Sequence, residues 1–102
     1  MDPIVVTIPH RHGKIEATRR IKTGIEDART RYAAEFKVAE QTWEGDRLRY
    51  RVAVLGQTVT GTVDVTDAEV RVEVVLTWLM AHLVKPAEAI VRREGEAILG
   101  GS

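Results

Sequence analysis

The chain has 102 residues, 44% of them hydrophobic, which is a one-domain length (residues 1–102) with material for a single core. Fifteen Lys and Arg offset fifteen Asp and Glu, so no net field draws the chain to nucleic acid or to an anionic membrane. Zero cysteines exclude a disulfide framework, a thiolate zinc site and a cysteine nucleophile.

No apolar run approaches the ~20 residues of a membrane helix, so no transmembrane segment is expected. Met1-Asp2-Pro3 lacks the basic and apolar regions of a signal peptide, and a cytoplasmic location follows as the expectation. Ile4-Val5-Val6-Thr7-Ile8, closed by Pro9, reads as a first strand at a sheet edge. A connector runs through His10-Arg11-His12-Gly13. From Lys14 the spacing becomes helical: Ala17, Ile21, Ile25 (or Gly24), Ala28, Tyr32 and Phe36 form one apolar stripe. Glu16 with Arg20, Lys22 with Glu26 and Asp27 with Arg31 are spaced to pair along that helix. Seven Lys and Arg against three acids between His10 and Tyr32 leave it locally basic, with Arg19 and Arg20 as a docking face if it is not simply solvated.

Four strand segments follow. Val38 to Trp43 leads into a Glu44-Gly45-Asp46 turn. Arg47 to Leu55 alternates Leu48, Tyr50, Val52 and Val54 with Arg47, Arg49 and Arg51, and Gly56-Gln57 reverses the chain. Val59, Gly61, Val63 and Val65 then alternate with threonines, and Val70, Val72, Val74 and Leu76 with Glu69, Arg71 and Glu73. Thr77 is placed to cap a last helix with a stripe of Leu79, Leu83, Ala87, Ile90 and Ile98, widened by Met80, Val84 and Val91. Pro86 should kink that helix or split it near Lys85, Gly95 should weaken it, and the tail should be loose from about residue 99. The fold class is α+β in the order β-α-β-β-β-β-α: an antiparallel sheet, spatial order 1-5-4-3-2, covered on one face by two helices. It resembles a shortened helix-grip fold.

Candidate chemistry is sparse. His10 and His12 alternate, but no acid or further ligand completes a metal site, and exposed loop histidines are expected. His82 should be half-buried and hydrogen-bonded at its tip. The only serine is Ser102, in the tail, so no Ser-His-Asp set exists. Neither a GxGxxG nor a Gly-Lys-Ser/Thr loop occurs, and five aromatics do not interleave with basic residues as base-stacking surfaces require. Trp43 and Trp78 read as core anchors, with Trp78 as the rim of a binding surface in the alternative. The expectation is a non-enzyme without cofactor, metal or nucleic-acid partner. Arg47, Arg49 and Arg51 beside Thr58, Thr60 and Thr62 make an outward polar face suited to water, a salt-bridge lattice or a partner, including a second copy of the chain.

Three stretches carry a resemblance: Pro9-His10-Arg11-His12-Gly13-Lys14-Ile15-Glu16-Ala17-Thr18-Arg19-Arg20-Ile21, Trp43-Glu44-Gly45-Asp46, and Gly56-Gln57-Thr58-Val59-Thr60-Gly61-Thr62-Val63-Asp64-Val65. In that order the chain, from Ile4 to Leu99, resembles the small bacterial proteins called polyhydroxyalkanoic acid system proteins. The resemblance makes His10 the family histidine and Gly13 its helix-start glycine. It implies association with storage-polyester granules or granule proteins and transfers no catalytic residue. Two readings follow. One is a non-enzymatic accessory or interaction protein of polyhydroxyalkanoate granules, using Arg19, Arg20, Arg47, Arg49, Arg51 and His10. The alternative is a small domain holding an acyl chain between sheet and C-terminal helix, in a pocket formed by Gly61, Trp78, Leu83 and Pro86.

Overall fold

The computed structural model describes residues 3–100, so the tail residues Gly101 and Ser102 lie outside the described residues. The elements are β1 (Ile4–Pro9), α1 (Gly13–Arg31), β2 (Phe36–Glu44), β3 (Arg47–Val54), β4 (Gln57–Val65), β5 (Glu69–Val75), a 3₁₀ helix (Trp78–Leu83) and α2 (Val84–Leu99). The five strands form one antiparallel sheet in the order β1-β5-β4-β3-β2; short turns require β2 to β5 to be neighbours in sequence order, and β1 adds beside β5. The register sets apolar residues opposite each other on one face: Leu48 against Val63, Val52 against Val59, Val6 against Val72 and Ile8 against Val70. Both helices cover that face, and the core is Ile4, Val6, Ile8, Ala17, Ile21, Leu48, Val59, Val63, Val65, Val70, Val74, Leu76, Met80 and Leu99. Burying one such large side chain stabilises the fold by about 1.5–3 kcal/mol. β1 and β2 are the edges, and β2 carries a bulge between Val38 and Glu40 that spoils its template for further pairing. Among the described residues no helix is long and apolar enough to cross a membrane.

Element ends differ from the sequence reading for local reasons. α1 stops at Arg31; Tyr32 caps it, and the Phe36 amide donates to the Tyr32 carbonyl at 3.1 Å across a turn that stacks the two rings. The four-residue step from Tyr32 to Phe36 is therefore a turn into β2, and only mimics helical spacing. The first free amides of α1 are met from outside: Asp67, in the β4–β5 turn, accepts from the Lys14 amide at 3.0 Å. The β3–β4 reversal is Leu55-Gly56, one residue earlier than expected, with both residues at positive φ (53° and 77°). That geometry fits the right-handed strand twist but strains a leucine.

The C-terminal helix does divide, two residues before the expected point. Trp78–Leu83 is 3₁₀, so residues repeat every three positions and Met80, not Leu79, enters the core. Thr77 starts this segment without a side-chain cap; its hydroxyl donates to Gln57 Oε1 at 3.4 Å. Pro86 is the third residue of α2, where an amide has no helical acceptor, so it initiates the helix rather than kinking it. Leu99 is buried and Gly100 closes α2 at φ 70°. Gly95 is buried because α2 rests on β1 there: a Cβ would overlap Ile8 Cδ1. Gly24 plays the same part between the helices, against Ile98.

Candidate functional site

The outward sheet face proves to be a salt-bridge lattice. Arg47 pairs with Asp64 at 2.6 Å, Arg49 with Glu44 at 3.1 Å, Arg51 with Glu40 at 3.5 Å and Arg71 with Glu73 at 2.9 Å. The Asp64 hydrogen bond raises the Arg47 pKa, and each arginine of the row faces a carboxylate already in place. A groove of about 480 Å³ runs over this face, lined by Arg47, Arg49 and Arg51 and by Glu40 and Glu73. Exposed pairs of this kind contribute only about 0–1 kcal/mol each.

The basic face of α1 is likewise internally satisfied. Glu16 accepts from Arg19 (2.6 Å) and Arg20 (2.8 Å), which hold its carboxyl down at about 2. The expected Lys22–Glu26 and Asp27–Arg31 pairs give way to tertiary partners. Lys22 sits over the half-buried Trp43 ring at 5.1 Å, and Arg31 reaches Glu94 on α2 at 2.6 Å.

His10 and His12 are not exposed loop residues. His10 is 8% exposed. Its Nδ1 accepts from the His12 amide at 3.2 Å, which leaves the proton on Nε2 to donate to the Thr66 carbonyl at 3.0 Å. His12 stacks on it, with ring centroids 5.8 Å apart, and donates through Nε2 to the Leu99 carbonyl, an orphan acceptor at the end of α2. The pair thus ties β1, the β4–β5 turn and the end of α2 to the start of α1. Sequence reasoning searched for acidic or metal partners and missed it, because the partners are backbone carbonyls 56 and 87 residues away. His10 therefore does not belong to an accessible interaction surface. His82 is exposed in the 3₁₀ helix, contrary to expectation. Among the described residues no group of His, Asp and Glu side chains is placed to hold a metal ion.

The residues expected to make an apolar pocket do not converge. Gly61 does face inward, but the Tyr50 ring lies across it and the phenol donates to the Glu73 carbonyl at 3.0 Å. Trp78 is 77% exposed, so it is not a core anchor; Pro86 is exposed and Leu83 packs on the core. A different pocket opens over β2 and β3. It has a volume of about 260 Å³, and Ile25 and Ala28 of α1, Phe36, Tyr50, Val52 and Val91 of α2 form much of its wall. No polar atom is exposed on that wall. It exists because Gly24 and Gly95 let α2 settle against α1 and β1, leaving the β2–β3 side of the sheet partly uncovered. The signal in the sequence was the small Ala28 facing large residues on β2 and β3.

A second apolar feature lies at the free end of the sheet. Leu55 at the β3–β4 tip is 79% exposed, and Trp78 and Leu79 (51%) begin the 3₁₀ helix. The Thr77–Gln57 hydrogen bond holds the two segments side by side. Three large apolar residues exposed on these two adjoining segments are more than the scattered exposure a soluble surface normally shows.

One comparison with known proteins finds a match. The family described as "Putative polyhydroxyalkanoic acid system protein" matches residues 4–99. No curated protein and no solved structure matches the chain.

Proposed function

The chain belongs to the polyhydroxyalkanoic acid system protein family, and from that premise we propose that it is a non-enzymatic accessory protein that docks on the apolar surface of polyester granules in the cytoplasm. The observation that carries the proposal is the exposed cluster of Leu55, Trp78 and Leu79. A storage polyester presents few hydrogen-bond donors, so a protein adheres to it by removing its own apolar area from water. Trp78 suits such a boundary, since its ring buries a large area while its N–H stays in water. Arg47 and Arg49 of the outward face and Arg19 of α1 hold carboxylates at 2.6–3.1 Å, which favours adhesion over recognition of an anionic partner at those faces.

Co-sedimentation with purified granules tests the reading. Wild-type protein is expected in the granule fraction, and the Trp78→Ser/Leu79→Ser double variant mostly in the supernatant. The expected loss is at least tenfold, since each side chain contributes on the order of 1.5 kcal/mol when fully buried. Wild-type protein left in the supernatant refutes granule docking. Equal partition of the two proteins refutes this surface.

A second reading has its own observation, the 260 Å³ apolar pocket over β2 and β3. Water entering it finds no hydrogen-bond partner on the wall, and engineered apolar cavities of about 150 Å³ already take up benzene. In this reading the domain holds an alkyl chain between sheet and helices, lined by residues other than Gly61, Trp78 and Pro86. Native mass spectrometry of freshly purified protein should then show a reproducible bound mass.

A further inference from the structure

The second reading leaves open what kind of molecule brings the alkyl chain, and the mouth of the pocket answers that. Arg29 and Gln41 lie at its edge and contribute only carbon atoms to the wall. Their polar ends sit outside it, with Arg29 Nη1 3.4 Å from Gln41 Oε1. A shallow depression of about 250 Å³ shares Arg29, Phe36 and Val38 with the pocket and adds Lys37 and Ala33. Arg29 is the cation at this apolar opening, and no acidic side chain lines either hollow; Lys37 alternates with the half-buried Phe36 and Val38 and takes the other face of the sheet. The one carboxylate on Arg29 is Glu26, 3.4 Å away and exposed, a pairing weak enough to be exchanged for a ligand anion. Inside, the Tyr50 hydroxyl is already committed to the Glu73 carbonyl, so nothing there recognises a polar group along the chain.

We infer that the pocket takes the chain of a free aliphatic carboxylate, about six to ten carbons long at protein-like packing density, with its carboxylate at Arg29. The inference rests on the second reading and adds a requirement that reading does not make: an anionic head. An uncharged alcohol or an ester segment of the same length fills the pocket but forfeits the charge-assisted hydrogen bonds at its mouth.

Methyl-detected NMR titrations with octanoate and with 1-octanol test this. Octanoate should shift the Val52, Val63, Val72 and Val91 methyls saturably, and octanol should bind about tenfold more weakly. An Arg29→Gln variant should weaken octanoate about tenfold and octanol by no more than about twofold, because Gln keeps most of the aliphatic stem and loses only the charge. Ala28→Phe, which fills the pocket, should abolish both. If octanoate and octanol bind alike and the charge variant makes no difference, the anionic head is wrong while the pocket stands. If neither ligand moves these methyls, the pocket reading falls and the inference with it.

Discussion

Tyr50 fills the space that the ligand-pocket reading of the sequence expected Gly61 to open. Its ring lies over Gly61 on the neighbouring strand, and burial pushes its phenol pKa above the usual value of 10. A raised phenol pKa means that the folded state favours the neutral form. Its contribution is therefore complete below pH 10 and fades as pH rises beyond that, where the unfolded chain ionises first. Denaturant unfolding between pH 8 and 11 should show wild-type stability falling above pH 10, and Tyr50→Phe falling less steeply. At pH 8 the same variant should lose about 1 kcal/mol with the hydrogen bond to the Glu73 carbonyl. Identical slopes for the two proteins would show that Tyr50 titrates normally. The same crowding makes Gly61 irreplaceable. A Cβ there meets the Glu73 carbonyl oxygen and the Tyr50 ring, so Gly61→Ala should cost about 1–3 kcal/mol by calorimetry, against the usual strand preference.

At the scale of elements, the C-terminal segment shows how a proline is read correctly in kind and wrongly in place. Pro86 signalled a division, but the chain divides between Leu83 and Val84, where 3₁₀ geometry gives way to α. Pro86 then sits in the first turn of α2, where its fixed φ helps. Pro86→Ala should therefore change stability by less than about 1 kcal/mol, and in the unfavourable direction. Had it been interior to one long helix, the same change would stabilise by about 3 kcal/mol. Thermal unfolding of the variant separates the two. The 3₁₀ turn also explains why Met80 is buried and Leu79 half-exposed: an α-helical wheel places Leu79 inward, a three-residue repeat does not.

Over the whole molecule, the exposed apolar end conflicts with what stability alone would select. Leu55 adopts positive φ at the tip of the β3–β4 hairpin, a position that Asn or Gly fills without strain. Leu55→Asn should raise stability by about 1 kcal/mol in denaturant unfolding. If the end docks on granules, the same variant should also partition less to them. A gain in stability with unchanged partition would remove Leu55 from the docking surface. Strained, exposed leucine beside exposed Trp78 is more readily explained by a surface contact than by folding.

The alternation of Leu48, Tyr50, Val52 and Val54, and of Val70, Val72, Val74 and Leu76, was enough to determine the sheet, its covered face and the order of β2 to β5, because a period of two commits each side chain to one face and short turns make consecutive strands neighbours. The place of β1 beside β5 came instead from likeness to the helix-grip fold. Family membership was likewise legible in the order of its motifs. Tertiary structure alone decided the rest. The His10–His12 tie depends on carbonyls far along the chain, and the arginines are committed only once the strand register sets Arg47 beside Asp64. The pocket depends on how far α2 slides toward β1, which Gly24 and Gly95 set through contacts with Ile98 and Ile8. Periodicity reports which face a residue takes; how closely two elements approach, and what gap they leave, is a property of their packing.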